Sequence, residues 1–157
     1  MRAPAHLRPV LATAALLCLV VAGCGNTENT FEPLLSKVGR AQDVQALSSL
    51  EQALASASLV RTESGGSYGR SSDDLAVMLQ ERDRSHRYVV APSVSPDQIQ
   101  VAGGGPSAML VVRSTSNNYL AVWLDGSGTI EYYRGLSSPQ YVEARPSGGG
   151  WSETPPA

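Results

Sequence analysis

The chain changes its apolar period once, and that change limits the fold more than any other feature. Residues 40–61, "RAQDVQALSSLEQALASASLVR", contain neither Pro nor Gly, and Val44, Leu47, Leu50, Leu54 and Ala57 recur at intervals of 3, 3, 4 and 3. Such spacing draws a single apolar stripe along a helix. "ESGG" at 63–66 ends the run, with Gly65 suited to the left-handed residue that follows a helix. The small residues Ala53, Ala55 and Ala57 allow a close approach to a sheet. From Tyr88 onward the period is two. The pattern predicts an α+β head: one long N-terminal helix packed on a three- or four-stranded antiparallel sheet, with a short helical crossover.

The crossover falls at 72–82. Ser71 or Ser72 can cap it, Asp73 and Asp74 suit its positive end, and Leu75, Met78 and Leu79 supply an inner face. The strands follow as "YVVAPSV", which Pro92 ends or confines to an edge, then "QIQVAG", "AMLVVRST", "YLAVWLD" and "TIEYYRG". Turn residues separate the last four, which predicts a meander. Leu120, Val122 and Leu124 share one face of their strand, while Tyr119, Ala121 and Trp123 share the other. Both faces are apolar. One is expected to meet the long helix, and the other to be partly covered by the tail or a partner. Residues 143–157 are rich in Pro and Gly and are expected to form a disordered tail, with Trp151 docking loosely on the sheet.

The N-terminus reads as an export signal. Arg2, His6 and Arg8 precede an apolar run of 13 residues, Val10 to Ala22, broken only by Thr13. A spanning helix needs roughly 20 residues, so the run fits a signal core instead. Val21-Ala22-Gly23-Cys24 resembles the lipobox of bacterial lipoproteins, in which the Cys is acylated through its thiol and becomes the new N-terminal residue. The resemblance implies a signal peptide over 1–23, lipidation at Cys24 and attachment to the membrane through acyl chains. It implies a location on the extracytoplasmic face of a bacterial cell membrane. Residues 24–39 are then expected as a tether, with a helical end where Phe31, Leu34, Leu35 and Val38 fall, and 40–142 as the globular head. Cys18 leaves with the signal, so the head has no thiol for a disulfide, a zinc site or a nucleophile. Removing two of the 12 basic residues leaves 10 against 14 acidic ones, a net charge of −4. That balance, with scattered Arg, argues against nucleic acid as a partner.

The order of the head's elements carries a second resemblance. "DVQALSSLEQALASASLVRTESGGSYG" is similar to the segment that follows the membrane stem in type IV pilins and type II secretion pseudopilins, where a helix rich in Ala, Ser and Leu leads to a Gly-x-Tyr step. Gly66-Ser67-Tyr68 stands at that step, and "DQIQVAG" and "SNNYLAVWLDGSGTIEYYRG" resemble strands of the pilin head. The likeness runs over residues 40–135. It implies a pilin-like fold and envelope, secretion or pilus proteins as partners. Pilins also carry a Gly-Phe-type cleavage site, an early Glu and a long apolar stem. Here Gly23-Cys24 and a polar stretch stand in their place, which points to a pilin-like head set on a lipid anchor.

Residues that would carry chemistry are few. His86, the one histidine after Cys24, lies between Arg84 and Arg87 and reads as a surface residue. Asp125-Gly126-Ser127-Gly128-Thr129 lacks the acidic ligands and closing Glu of a calcium loop and reads as a hairpin turn. No Ser-His-Asp set can be assembled from the numerous serines, and Gly103-Gly104-Gly105 leads into a strand, not a phosphate-binding helix. The sequence therefore predicts a non-enzymatic protein with no cofactor or metal, in a structural or interaction role. The alternative is binding of a small ligand or glycan, for which Tyr119, Trp123, Tyr132 and Tyr133 form the candidate surface.

Overall fold

The computed structural model describes residues 28–156, with side chains from Gly39 onward. The signal segment 1–23 and Cys24 lie outside the described residues. The chain falls into two compact units, 1–34 and 35–157. Of the first only the helical residues 28–34 are described; the second carries the sheet.

Helix α1 spans Glu28–Glu63. It starts well before Arg40, so residues 28–39, expected as a tether with a helical end, are helical throughout their described part. Leu34, Leu35 and Val38 continue the helical spacing, and Gly39 costs only about 1 kcal/mol in a helix, too little to stop one packed further along. The C-terminus is as expected. Gly65 takes φ 65°, and the Gly66 N–H donates to Arg61 O at 2.8 Å, the bond that closes a Schellman motif.

The buried stripe of α1 is Asp43, Ala46, Leu50, Ala53, Ala57 and Val60. It lies about one position away from the predicted stripe. Leu50 and Ala57 belong to both, Leu47 and Leu54 flank the core, and Val44 is 63% exposed. Alanines at the centre of the interface let the helix axis lie close to the sheet, and larger side chains on the sheet fill the space between. Helix α2, Ser72–Arg82, has the predicted bounds and cap. Ser71 Oγ accepts from the Asp74 N–H, while Leu75, Ala76 and Leu79 are buried.

Six strands form one mixed sheet in the order β1-β2-β3-β4-β5-β6: Arg87–Val89, Gln98–Gly104, Ser107–Arg113, Tyr119–Asp125, Ile130–Gly135 and Trp151–Ser152. The α+β class holds, but a purely antiparallel sheet of three or four strands does not. Strands β2 to β5 are the predicted meander. Its first hairpin turns at Gly105-Pro106, where Gly105 (φ 65°) supplies the positive φ such two-residue turns need.

Two edge strands account for the difference. Strand β1 pairs parallel to β2, although only residues 90–97 connect them. Ser93, fully buried, explains this connection. Its hydroxyl donates to Gln98 O at 2.6 Å and accepts the Arg113 N–H at 2.9 Å. The loop is thereby pinned across the ends of β2 and β3, and it re-enters the sheet in the direction it left. Strand β6 pairs antiparallel to β5 through Ser152 and Trp151. The segment expected as a disordered tail thus runs back over the sheet and closes its far edge.

The pleat sorts the sheet into two cores. Ile99, Val101, Ala108, Leu110, Val112, Leu120, Val122 and Leu124 face α1 and α2. Met109, Val111, Ala121, Trp123 and Tyr133 lie on the other face, where Tyr141 and Trp151 pack over them. The second unit therefore has three layers: helices, sheet, and a strap formed by residues 136–156.

Candidate functional site

The four aromatics expected to share a ligand or partner surface do not share one. Tyr132 lies against the helix-side core. Tyr119, Trp123 and Tyr133 lie on the opposite face. Alternation along β5 sends Tyr132 and Tyr133 to opposite sides, so no register of this strand brings them together. Nor are those on the outer face open. Trp123 is 2% exposed and Tyr133 8%. Tyr133 meets Trp151 with ring centroids 5.4 Å apart, and the Arg113 guanidinium stands 5.7 Å from the Tyr119 ring centroid.

The polar groups of that face hold the strap. Trp123 Nε1–H donates to Val142 O at 2.9 Å. Ser107 Oγ donates to Glu143 O at 2.9 Å and lies 2.7 Å from the Tyr141 hydroxyl. Tyr133 donates its hydroxyl to Ser137 O at 2.9 Å. Glu131, nearly buried, accepts from Arg145 Nε at 2.6 Å, and Arg145 also pairs with Glu153. An open hollow of about 300 Å³ lies among Glu131, Arg145, Pro146, Trp151 and Glu153.

A second polar centre sits on the helix side. Asp43 is 7% exposed. It accepts from Ser114 Oγ at 2.6 Å, from Ser116 Oγ, from Asn118 Nδ2 at 2.9 Å and from Arg134 Nη2 at 2.6 Å. One carboxylate thus ties α1 to the β3–β4 turn and to β5. Burial pushes its pKa up, but these four donors outweigh burial and hold it below the usual carboxylate value. Beside it a mainly apolar hollow of about 180 Å³ is lined by Arg40, Val44, Leu47, Leu120, Arg134 and Pro156. Sequence reasoning passed over Asp43. The signal was available: at 43, 46, 50, 53, 57 and 60 it falls in register with the alanines.

Asp83, Ser85, His86 and Tyr88 cluster where α2 leads into β1. His86 is not the surface residue expected, since its side chain is only 9% exposed. Asp83 Oδ2 lies 2.8 Å from His86 Nδ1 and accepts from the Tyr88 hydroxyl at 2.7 Å. Ser85 Oγ is 3.0 Å from the same Nδ1 and also bonds Asp83. A serine relay needs the hydroxyl and the carboxylate on opposite ring nitrogens. Here both meet one nitrogen, so the group closes a turn and does not pass a proton along. Burial raises the Asp83 pKa, and the bonds from Ser85, His86 and Tyr88 lower it by more, leaving it well below the usual carboxylate range. Burial, then Asp83, push the Tyr88 phenol far up.

Asp125 caps its own turn. Oδ1 accepts from Ser127 N–H at 2.8 Å, Ser127 Oγ at 2.6 Å and Thr129 N–H at 2.9 Å. Arg61 grips the same turn, donating Nε–H and Nη2–H to Gly126 O at 3.0 and 2.6 Å. Tyr68, of the Gly-x-Tyr step, is buried and donates to Asp125 O at 3.0 Å. Among the described residues no group of three or more His, Cys, Asp or Glu is placed to hold a metal, and no helix is long and apolar enough to cross a membrane. No known protein family, curated protein or solved structure matches the chain.

Proposed function

We propose that this chain is a membrane-anchored envelope lipoprotein whose α+β head, pilin-like in layout, has a structural or interaction role and not a catalytic one. The observation that carries the reading is the sealing of the outer sheet face. The Trp123 indole, the Tyr133 hydroxyl and the buried Glu131 carboxylate are engaged by the strap, as befits a body built to keep its shape. A long helix laid on a meander, with Tyr68 donating its N–H to Gly105 O and its hydroxyl to Asp125 O in two of the meander's turns, supports the pilin-like layout. The anchor rests on the order of charged, apolar and small residues before Cys24, with acyl chains on Cys24 as the attachment.

The small-ligand or glycan alternative loses its expected surface, because Tyr132 and Tyr133 face opposite ways and Trp123 is covered. The test is metabolic labelling with an alkyne fatty acid in a bacterial host, together with fractionation. The wild-type chain should take up label and sediment with membranes, and Cys24→Ser should lose both. An unlabelled, released wild-type chain would refute the anchor. Affinity capture with the anchored chain, using Cys24→Ser as control, then tests the interaction role by whether envelope, secretion or pilus proteins are enriched.

A further inference from the structure

The hollow of about 300 Å³ at the edge where β5 meets β6 carries polar groups that the fold itself does not use up. Glu131 lines it from β5, Trp151, Ser152 and Glu153 from β6 and just beyond, and Arg145 and Ser147 from the strap. Trp151 stands opposite Tyr133, two residues along β5 from Glu131, so one face of the sheet presents both the indole and the carboxylate. The Glu131 side chain is only 5% exposed. Its Oε1 accepts from Arg145 Nε at 2.6 Å and also pairs with Nη2. Its Oε2 makes no hydrogen bond among the described residues, where the one sealed side-chain polar atom without a partner is Arg113 Nε. Oε2 is therefore not sealed, and the space it opens to is the hollow. A nearly buried carboxylate oxygen without a donor is costly to leave so. Arg145 Nη1 is also unused, because its ion pairs take Nη2 and its remaining bond takes Nε. Trp151 is partly exposed. Tyr133 packs against it at a tilt of 46°, and the indole surface left over lines the hollow.

We propose that this hollow receives one neutral pyranose ring of a glycan, its C–H face on the Trp151 indole and its hydroxyls on Glu131 Oε2 and Arg145 Nη1. The charges on the wall select against the alternatives. An ammonium group drawn to Glu131 and Glu153 would lie against the Arg145 guanidinium. An anion drawn to Arg145 would be repelled by both carboxylates. Either would also have to shed its water. A hydroxyl donates and accepts at once, so two neighbouring hydroxyls can donate to Oε2 and accept from Nη1 without adding charge. The electron-rich indole face attracts the weakly positive C–H groups of a sugar ring. Arg145 is held between Glu131 and Glu153, so its guanidinium is fixed before a ligand arrives and loses little freedom on binding. None of Tyr119, Trp123, Tyr132 and Tyr133 lines this hollow, so it is a different place from the surface expected from sequence. Nor does it depend on the lipid anchor.

The test uses the full chain, labelled at nitrogen for NMR and carrying Cys24→Ser so that no acyl chain competes for apolar surface. Its two tryptophans give two indole N–H signals, one from Trp151 at the hollow and one from Trp123 beneath the strap. The probes are neutral trisaccharides of glucose, mannose, galactose and N-acetylglucosamine, with tetramethylammonium chloride and sodium phosphate representing the two charged classes. One ring in an open hollow should bind with a Kd on the order of 1 mM. At least one trisaccharide should shift the Trp151 signal saturably while Trp123 stays in place. Glu131→Gln, which removes the charge from the accepting oxygen, should weaken that sugar by about tenfold, and an unmoved Trp123 signal shows that the strap of the variant is still closed. The inference falls if no trisaccharide moves Trp151 at about ten times the expected Kd, or if tetramethylammonium or phosphate moves it instead. It falls equally if Glu131→Gln, with Trp123 unmoved, binds as tightly as its parent. The probe titrations of the parent chain decide whether or not the variant folds. Failure here would leave the fatty-acid labelling result untouched, so the two readings are separable.

Discussion

Asp43 is the residue on which the helix-to-sheet register depends. Shape alone allows a stripe of alanines to slide along a sheet by a turn, because small side chains interdigitate weakly. A carboxylate that takes four donors from the β3–β4 turn and β5 fits only one position. Hydrogen bonds to a charged group contribute about 1.5–3 kcal/mol each before the cost of burying the charge. Asp43→Ala is therefore expected to lower unfolding free energy by about 2–3 kcal/mol, read from urea denaturation at pH 7. The pH dependence follows from the lowered pKa of Asp43. Its stabilisation is fully present above the unfolded carboxylate pKa, about 3.9, and is lost as pH falls through the lower folded value. Asp83, lowered further, behaves alike. Asp43→Asn should thus be less stable at neutral pH but lose less on acidification. Parallel stability–pH curves for Asp43→Asn and wild type between pH 6 and the acid transition would show that Asp43 is not the linked group.

At the scale of elements, the stripe of α1 is set by fit and not by hydropathy. Val44 is apolar and exposed, whereas Ala46, Ala53 and Ala57 are wholly buried. Two substitutions separate these meanings. Val44→Ser should change stability by no more than about 0.5 kcal/mol. Ala53→Leu, more apolar and as good a helix former, should cost about 1–3 kcal/mol through overpacking. Thermal unfolding of both decides, and a stabilised Ala53→Leu would mean the helix does not lie close to the sheet. The same reasoning explains which elements were legible. Helix α2 and the β2–β5 meander rest on local signals: a Ser cap, two turns with Gly, and short runs rich in apolar and β-branched residues. The rest depended on non-local bonds. Ser93 reverses the β1 connection through partners on β2 and β3, and no local propensity of a Ser between Pro92 and Val94 encodes that. Strand β6 lies in a Gly- and Pro-rich segment whose order comes from Arg145, Trp151 and their partners. The candidate surface failed for a simpler reason: grouping aromatics by sequence proximity ignored the alternation that parts Tyr132 from Tyr133.

For the whole molecule, the three layers imply unequal resistance to unfolding. The helix-side core joins both helices to five strands, while the strap layer is small and held by scattered side-chain bonds. Segments with few buried contacts and little backbone pairing open at free energies below the global value. The chain has two tryptophans, one in the sheet and one in the strap, which makes this measurable. Trp151→Phe leaves Trp123 as the sole indole, 2% exposed beneath the strap and bonded to Val142 O. Strap opening exposes that ring without melting a helix. Rising urea should therefore red-shift Trp123 emission and raise its acrylamide quenching before far-ultraviolet circular dichroism falls. Adding Glu131→Gln, which replaces the buried charge that holds Arg145, should move the first transition to lower urea and leave the second nearly in place, because Arg145 contacts neither helix in the hydrogen-bonded set that fixes the strap. Coincident transitions in both chains would mean that the strap and the helix-side core form a single cooperative unit. In that event the outer face would open only with global unfolding.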